Sequence, residues 1–175
     1  MAGFCTGIVE KKKVVDGSAI KPSDKVIALA SSGLHSNGYS LVNYLLVRLK
    51  LKYAEHPELL TPTTIYAPVV KRLLEEGDWI YGMAHITGGG LVENLPRCLP
   101  EGLRIDIDWN SWTVPEIFKE IQRQGNVDEE EMRRVFNLGV GYCVVVPSNR
   151  AELTMDIIRE EGIECWEIGE VYEGN

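Results

Sequence analysis

The sequence predicts a layered α/β or α+β sandwich, and three observations lead to this prediction. The chain has 175 residues, which is enough for one domain with a packed core and too few for two ordinary domains. Short apolar runs alternate with segments whose apolar residues recur at helical spacing. We find no internal repeat, low-complexity tract or interdomain linker. Interleaved strands and helices, about five or six of each, favour such a layered fold.

Six apolar segments predict the strands. The segment Lys25–Ala30 is apolar enough to be buried on both faces of a sheet. In Leu103–Ile107 apolar and polar residues alternate, which predicts a half-buried strand. The other predicted strands are residues 3–10, 79–86, 139–146 and 163–172.

Apolar stripes and capping patterns predict the helices. One helix is predicted from about Tyr39, with its stripe at positions 42, 45, 46 and 49, and a second has its stripe at positions 66, 69, 70 and 73. A short helix over residues 89–98 is expected to end before Pro100. Capping boxes at residues 113–116 and 128–131 predict two further helix starts, and Ser148 is predicted to cap a last helix to about residue 160.

Composition argues against several classes of function. A net charge of −8 and a pI near 5.0 argue against a nucleic-acid binder, which is usually basic. The longest uncharged run, residues 26–47, is interrupted by polar residues and predicts no membrane span, and no signal peptide is recognised. The four cysteines are far apart and form no C-x-x-C pair. We therefore expect free thiols and a cytoplasmic protein.

Two glycine-bearing loops carry the functional information. They read SSGLHSNGYS over residues 31–40 and HITGGG over residues 85–90, and each follows a predicted strand and precedes a predicted helix. Backbone N–H groups and the positive end of a helix can face an anion at such a junction. Three successive glycines let a ligand approach the amides, although a tight turn without a ligand is the alternative. Each loop also holds a histidine, His35 or His85, that could be catalytic or a structural hydrogen-bond partner.

A third segment, residues 136–141, joins a predicted helix to a predicted strand. A helix C-cap at Asn137 or Gly139 explains it at least as well as ligand binding does. The stretches 26–47, 79–92 and 135–146 contain no charged residue in a chain that is 25% charged. An acidic protein that excludes carboxylates from these stretches leaves room for an anionic ligand, although burial of the strands would also suppress charge. The predicted binding residues are Ser32, Gly33, Ser36, Asn37, Gly38, Thr87, Gly88, Gly89, Gly90 and Asn137.

These motifs resemble a known family. Residues 2–11, 31–42, 60–66, 84–97, 131–141 and 166–169 are similar to the C-terminal domain of the aminoimidazole ribonucleotide synthetases, the phosphoribosylformylglycinamidine cyclo-ligases of purine biosynthesis. The resemblance runs the length of the chain and implies a single domain over residues 1–175. It also implies an α+β fold, a layered α/β/α sandwich with a mixed sheet.

The resemblance further implies an ATP-dependent ring closure that converts formylglycinamidine ribonucleotide to aminoimidazole ribonucleotide. His35 and His85 would transfer protons or stabilise phosphate. The family's N-terminal half, which dimerises and supplies the acidic ligands of Mg-ATP, would be absent from this chain. We therefore expect no metal ligands here, no catalysis by the isolated chain, and a homodimer once the enzyme is complete.

The chain departs from the family pattern at three positions. Asn43 and Thr64 stand where the family usually has arginine, and Val135 stands where it usually has threonine. Two missing cations would weaken phosphate contacts or mark a divergent branch. The alternatives to a cyclo-ligase half are a non-catalytic nucleotide-binding or regulatory module and a different ATP-dependent enzyme on the same scaffold.

Overall fold

The computed structural model describes residues 4–174 and shows a five-stranded sheet with six α-helices. The strands are β1 (Lys25–Ala30), β2 (Gly82–His85), β3 (Leu103–Ile107), β4 (Val140–Val146) and β5 (Cys165–Glu173). They lie in the order β2-β4-β1-β5-β3, and every neighbouring pair is antiparallel.

The α+β class is confirmed, but the prediction of a mixed sheet is wrong. Two neighbouring strands are parallel only when the chain between them crosses back to the same end of the sheet. In this sheet no two strands that are consecutive in the chain are neighbours. Each strand instead pairs with one that is distant in sequence and runs the opposite way.

Helices cover both faces of the sheet. The helices are α1 (Tyr39–Leu49), α2 (Ala67–Glu76), α3 (Gly90–Asn94), α4 (Glu116–Gly125), α5 (Glu129–Val135) and α6 (Ala151–Glu160). Val69 of α2 and Ile158 of α6 belong to the apolar cluster on one face, together with Ile27 of β1. Leu91 of α3 belongs to the cluster on the other face, with Val26. The layered arrangement follows because the alternate residues of a buried strand point to opposite faces.

A third apolar cluster lies among α1, α4 and α5. It is built around the fully buried rings of Phe118 and Phe136, which stand edge to face with centroids 5.8 Å apart. The predicted stripe of α1 contributes Val42 and Leu45 to this cluster. Within residues 4–174, no helix has the length and apolar character needed to cross a bilayer.

Two predicted strands differ from the structure. Residues 4–10 join no strand ladder, and Phe4 and Ile8 are fully exposed, while residue 3 lies outside the described residues. An apolar alternation predicts a strand only where a sheet edge is available to pair with it. The strand predicted over residues 79–86 is shorter, since β2 occupies only Gly82–His85.

The predicted caps have mixed outcomes. The Asp128 side chain accepts a hydrogen bond from the Glu131 N–H at 2.9 Å and caps α5 as predicted. Thr113 does not cap α4, because the helix begins only after Pro115, whose backbone is extended. The Pro115 ring packs against Gly139, where there is no room for a side chain. Ser148 begins a 3-10 turn ahead of α6 and also provides no cap.

This difference between the two capping patterns is testable. Replacing Asp128 by alanine should lower the free energy of unfolding by about 1 kcal/mol, because the N–H of Glu131 loses its acceptor. Replacing the exposed Thr113 by alanine should change it by less than about 0.5 kcal/mol. Urea denaturation of both variants beside the parent chain measures the two effects, and equal losses would contradict this assignment of the caps.

Candidate functional site

Three loops meet at one end of the sheet because of how their strands pair. β1 and β2 both run antiparallel to β4, with Ala30 opposite Val140 and His85 opposite Tyr142. The residues that follow β1 and β2 therefore lie beside the residues that precede β4. We call residues 31–38 the serine loop, residues 86–90 the glycine loop and residues 136–139 the asparagine loop. The two loops singled out in the sequence thus share one end of the sheet.

Asn137 fastens the asparagine loop to the serine loop. Its side chain is 1% exposed. Its Nδ2 donates to the Gly33 carbonyl oxygen at 2.8 Å, and its Oδ1 accepts from the Ser31 hydroxyl at 3.1 Å and from the Gly139 N–H at 2.9 Å. A buried amide with these partners has its hydrogen-bonding capacity largely used within the protein. Asn137 was predicted to bind substrate, and the structure places it beneath the loops as their connector.

Asn94 shapes the glycine loop from below. Its side chain is 5% exposed, and its Nδ2 faces the carbonyl oxygens of Thr87, Gly88 and Gly90 at 3.4, 3.3 and 2.8 Å. Its Oδ1 accepts from Arg97 at 3.2 Å, which is consistent with this orientation of the amide. The carbonyl side of the glycine loop is therefore held toward the protein interior.

The opposite side of the glycine loop presents N–H groups. Among residues 4–174, the N–H groups of Gly88 and Gly89 have no intramolecular acceptor. A Cβ on the exposed Gly88 would be 3.7 Å from the Asn37 Oδ1, so the serine loop lies close to the glycine loop. Unpaired backbone donors at the surface of neighbouring loops can bind an anion.

Helix α1 adds donors beside them. It begins after Gly38, a left-handed residue that gives no side-chain cap, and its first turn contains no acidic residue. The first N–H groups of a helix lack intrahelical partners and carry a partial positive charge. Ser36 is exposed just before this turn, so the serine loop adds a hydroxyl donor to the N–H groups at the start of α1.

The predicted binding residues divide by exposure. The exposed or half-exposed members are Ser32, Ser36, Asn37, Gly38, Thr87, Gly88 and Gly89. Gly33, Gly90 and Asn137 are buried. A Cβ on Gly90 would be 2.0 Å from the Arg133 carbonyl oxygen, so this glycine permits close packing of the loop onto the chain at the end of α5. A ligand at the surface therefore meets the first group, and the second group supports the loops.

The two predicted histidines lie near each other around two tyrosines. The Tyr66 ring stands 6.0 Å from the His35 ring and 6.3 Å from the His85 ring, centroid to centroid. Tyr142 stands 5.3 Å from Tyr66 and 6.1 Å from His85. His85 is exposed at the end of β2, whereas His35 is 5% exposed. Only His85 is accessible to a ligand on the loop surface.

His35 is held by backbone donors. Its Nε2 lies 3.1 Å from the Ser32 nitrogen and 3.3 Å from the Thr64 nitrogen, and both N–H groups point at it. Burial, with a smaller contribution from the nearby His85 side chain, lowers the pKa of His35 to about 4. His35 is therefore neutral at neutral pH.

Sequence reasoning missed both tyrosines and Asn94. Tyr66 was assigned to a helix stripe and Tyr142 to a strand, and their place beside the histidines follows from pairing across β2 and β4. Burial raises the pKa of both phenols, so these rings are uncharged at neutral pH. The one usable signal was the spacing of Asn94 from the three glycines, which places it one helical turn beyond Gly90.

The donors of the three loops are neutral, and the Glu93 carboxylate of α3 lies beside Gly89. Among the described residues, no group of three or more His, Cys, Asp or Glu side chains could hold a metal ion. Mg²⁺ prefers carboxylate and other oxygen ligands, and the three loops contain no carboxylate. Nothing in these loops therefore supplies a magnesium site.

Comparison with known proteins identifies the family of this chain. Residues 21–175 match the family model described as AIR synthase related protein, C-terminal domain. The phosphoribosylformylglycinamidine cyclo-ligase of Pseudothermotoga lettingae is 52% identical, over 99% of this chain and 53% of the relative. That of Synechococcus sp. strain CC9605 is 45% identical, over 98% of this chain and 52% of the relative. The chain spans about half the length of the curated relatives it matches.

Solved structures share the fold at low identity. Thiamine-monophosphate kinase from Stenotrophomonas maltophilia superposes with a TM-score of 0.67 at 14% identity, over 95% of this chain and 53% of that one. The hydrogenase maturation protein HypE superposes with a TM-score of 0.62 at 22% identity, over 90% of this chain and 46% of that one. With a family model that covers residues 21–175, the chain belongs to the AIR synthase related protein family, through its C-terminal domain.

Proposed function

We propose that this chain is the C-terminal half of an ATP-dependent cyclo-ligase and binds its phosphorylated substrate at the serine and glycine loops. The relatives that match it along its whole length are named phosphoribosylformylglycinamidine cyclo-ligase. The observation that carries the proposal is the convergence of two loops with uncharged donors and no acidic residue beside an exposed histidine. In a chain of net charge −8, loops that contain no carboxylate repel an anion less than an acidic surface does, although the Glu93 carboxylate of α3 lies beside Gly89.

The proposed reaction closes an imidazole ring in two steps. ATP transfers its terminal phosphoryl group to the formamide oxygen of formylglycinamidine ribonucleotide, releasing ADP. The amidine nitrogen then attacks the activated carbon, the C–O bond breaks and inorganic phosphate leaves with the former formamide oxygen. Loss of a proton from the attacking nitrogen gives the closed ring, and transfer of one proton from the ring CH2 carbon to the exocyclic imine nitrogen makes it the aromatic aminoimidazole.

This chain's residues have three tasks in that scheme. The N–H groups of Gly88, Gly89 and the first turn of α1 hold phosphate oxygens, and Ser36 adds a hydroxyl donor. Donors fixed in place before the reaction stabilise developing negative charge. His85 is the exposed group within reach of this surface that can accept or donate a proton. ATP and its Mg²⁺ would be bound mainly by the N-terminal half. That half would also join two copies of the complete enzyme into a homodimer, which would act in the cytoplasm.

The exposed Gly88 gives the sharpest test of the phosphate site. An added methyl group there meets nothing closer than 3.7 Å, so Gly88→Ala should leave the fold intact and obstruct only a ligand at the loop. We expect its affinity for formylglycinamidine ribonucleotide, measured by calorimetry, to fall about tenfold, which corresponds to about 1.4 kcal/mol of binding free energy. Its unfolding temperature should match that of the parent chain.

Gly7→Ala is the matched control, because a Cβ at the exposed Gly7 meets no atom within 4 Å and lies far along the chain from both loops.

The parent chain should form aminoimidazole ribonucleotide only after the N-terminal half of a relative, such as the cyclo-ligase of Pseudothermotoga lettingae, is added. Absence of substrate binding at millimolar concentration would overturn the proposal and favour a non-catalytic module on the same scaffold.

A further inference from the structure

The two histidines are chemically unequal. One imidazole is exposed at the end of β2, and the other is buried within the serine loop with one ring nitrogen lacking any partner. That unpartnered atom is the His35 Nδ1. A buried polar atom without a partner requires an explanation, because most such atoms are hydrogen-bonded.

The contacts at the other ring nitrogen decide which of the two nitrogens carries the proton. Two backbone N–H groups, those of Ser32 and Thr64, point at the His35 Nε2. A backbone N–H cannot rotate away, so Nε2 must present its lone pair to them and carry no proton. The Ser32 hydroxyl, 3.0 Å from Nε2 and 2.7 Å from the Pro62 carbonyl oxygen, can direct its single proton to either acceptor. A neutral imidazole with an unprotonated Nε2 carries its proton on Nδ1.

We propose two linked roles. First, His35 is a positioning residue, fixed as the neutral Nδ1–H tautomer, and its Nε2 accepts hydrogen bonds that join the backbone of the serine loop to that of residue 64. Second, His85 alone exchanges protons with the substrate. The first part concerns this chain by itself, and the second part rests on the proposed function. The His35 side chain is too deeply buried to contact substrate, whereas His85 is exposed.

The packing around His35 supports this assignment. The titratable groups that face its ring are Tyr66, from the start of α2, and His85, from the end of β2. The Tyr66 hydroxyl donates to the Ala30 carbonyl oxygen at 2.6 Å, so its proton is not available to Nε2. A Cβ on Gly141 would be 2.9 Å from Nδ1, so the backbone of β4 closes that side of the ring. Protonation of Nε2 would set an N–H against two N–H donors in a dry environment, which agrees with the lowered pKa of His35.

The tautomer can be observed directly by NMR on the chain with ¹⁵N-labelled histidine. Two-bond and three-bond ¹H–¹⁵N correlations distinguish a protonated Nδ1 from a protonated Nε2. We expect the buried ring to show the Nδ1–H form from neutral pH down to about pH 5, above its pKa of about 4. An Nε2–H form, or a cationic ring in that range, would overturn the first part of the proposal, whether or not the chain is active.

Two amide substitutions separate positioning from chemistry. The Oε1 of His35→Gln can occupy the place of Nε2 and accept from Ser32 and Thr64, whereas the shorter His35→Asn cannot reach them. In the reconstituted enzyme, we expect His35→Gln to stay within about threefold of the parent kcat with an unchanged pH profile, and His35→Asn to lose at least about tenfold in kcat/KM. Loss of kcat by both variants, with the amide signals of Ser32 and Thr64 unmoved, would show that the imidazole of His35 takes part in the chemistry.

Discussion

Replacing His85 by asparagine is expected to lower the ring-closure rate of the reconstituted enzyme by at least about 100-fold, the lower end of the contribution of a positioned acid or base. The His85 side chain is exposed beside the Tyr66 and Tyr142 rings, and within residues 4–174 its imidazole forms no hydrogen bond. The substitution therefore removes an imidazole that can exchange a proton and disturbs little structure. Steady-state measurement of kcat, beside the unfolding temperature of the variant, separates the two effects.

His56→Asn is the matched control for this prediction. His56 is the third histidine of the chain and lies in the polar loop beside Glu58, on the surface between α1 and α2. Its replacement should leave kcat within about twofold of the parent value, because it has no contact with the three loops. A similar loss in both variants, or a loss below about threefold in His85→Asn, would contradict the role given to His85.

Replacing Gly90 by alanine is expected to lower the free energy of unfolding by about 3 kcal/mol or more. Two costs add at this position. The backbone of Gly90 is left-handed, with φ of 58°, which costs a residue with a Cβ about 1 kcal/mol. The added methyl would also lie 2.0 Å from the Arg133 carbonyl oxygen and 2.9 Å from that of Phe136, and backbone atoms cannot move aside cheaply.

Gly102→Ala isolates the first of these costs. Gly102 has φ of 83°, and a Cβ there meets nothing within 4 Å. Chemical denaturation should therefore show a loss of about 1 kcal/mol for Gly102→Ala and a clearly larger loss for Gly90→Ala. Equal losses would mean that the glycine loop does not need its close approach to the end of α5.

Much of the fold could be predicted from local pattern. The bounds of β1 and β3 and the start of α1 are those that the apolar periodicity predicts, because each lies between a clear turn signal and a clear change of period. Two of the failures have a common cause. The predicted strand over residues 3–10, of which residues 4–10 are described, and the cap at Thr113 both depend on which distant segment lies alongside, and local pattern contains no record of that. The mixed sheet was implied by the family resemblance, and the strand pairing overturns it.

The site shows the same division. The serine and glycine loops were identified from their glycines and hydroxyl residues, and the structure brings them together. The unequal environments of His35 and His85 could not be predicted, since each lies in a polar, glycine-bearing segment near the end of a predicted strand. The burial of His35 depends on the backbone of Thr64, in the loop before α2, and on Gly141 of β4. Asn94 was hidden for a similar reason, because an asparagine in a helix is ordinarily a solvated residue.

The order of the strands has a consequence for biosynthesis. Every ladder in the sheet includes β4 or β5, the two strands made last, and no two of β1, β2 and β3 pair with each other. A ribosome must therefore deliver the roughly 115 residues from Lys25 to Val140 before the first of these inter-strand hydrogen bonds can form. Until then the apolar residues of β1, β2 and β3 lack the strands they pair with in the folded sheet. We therefore expect the nascent chain to bind chaperones that cover exposed apolar segments.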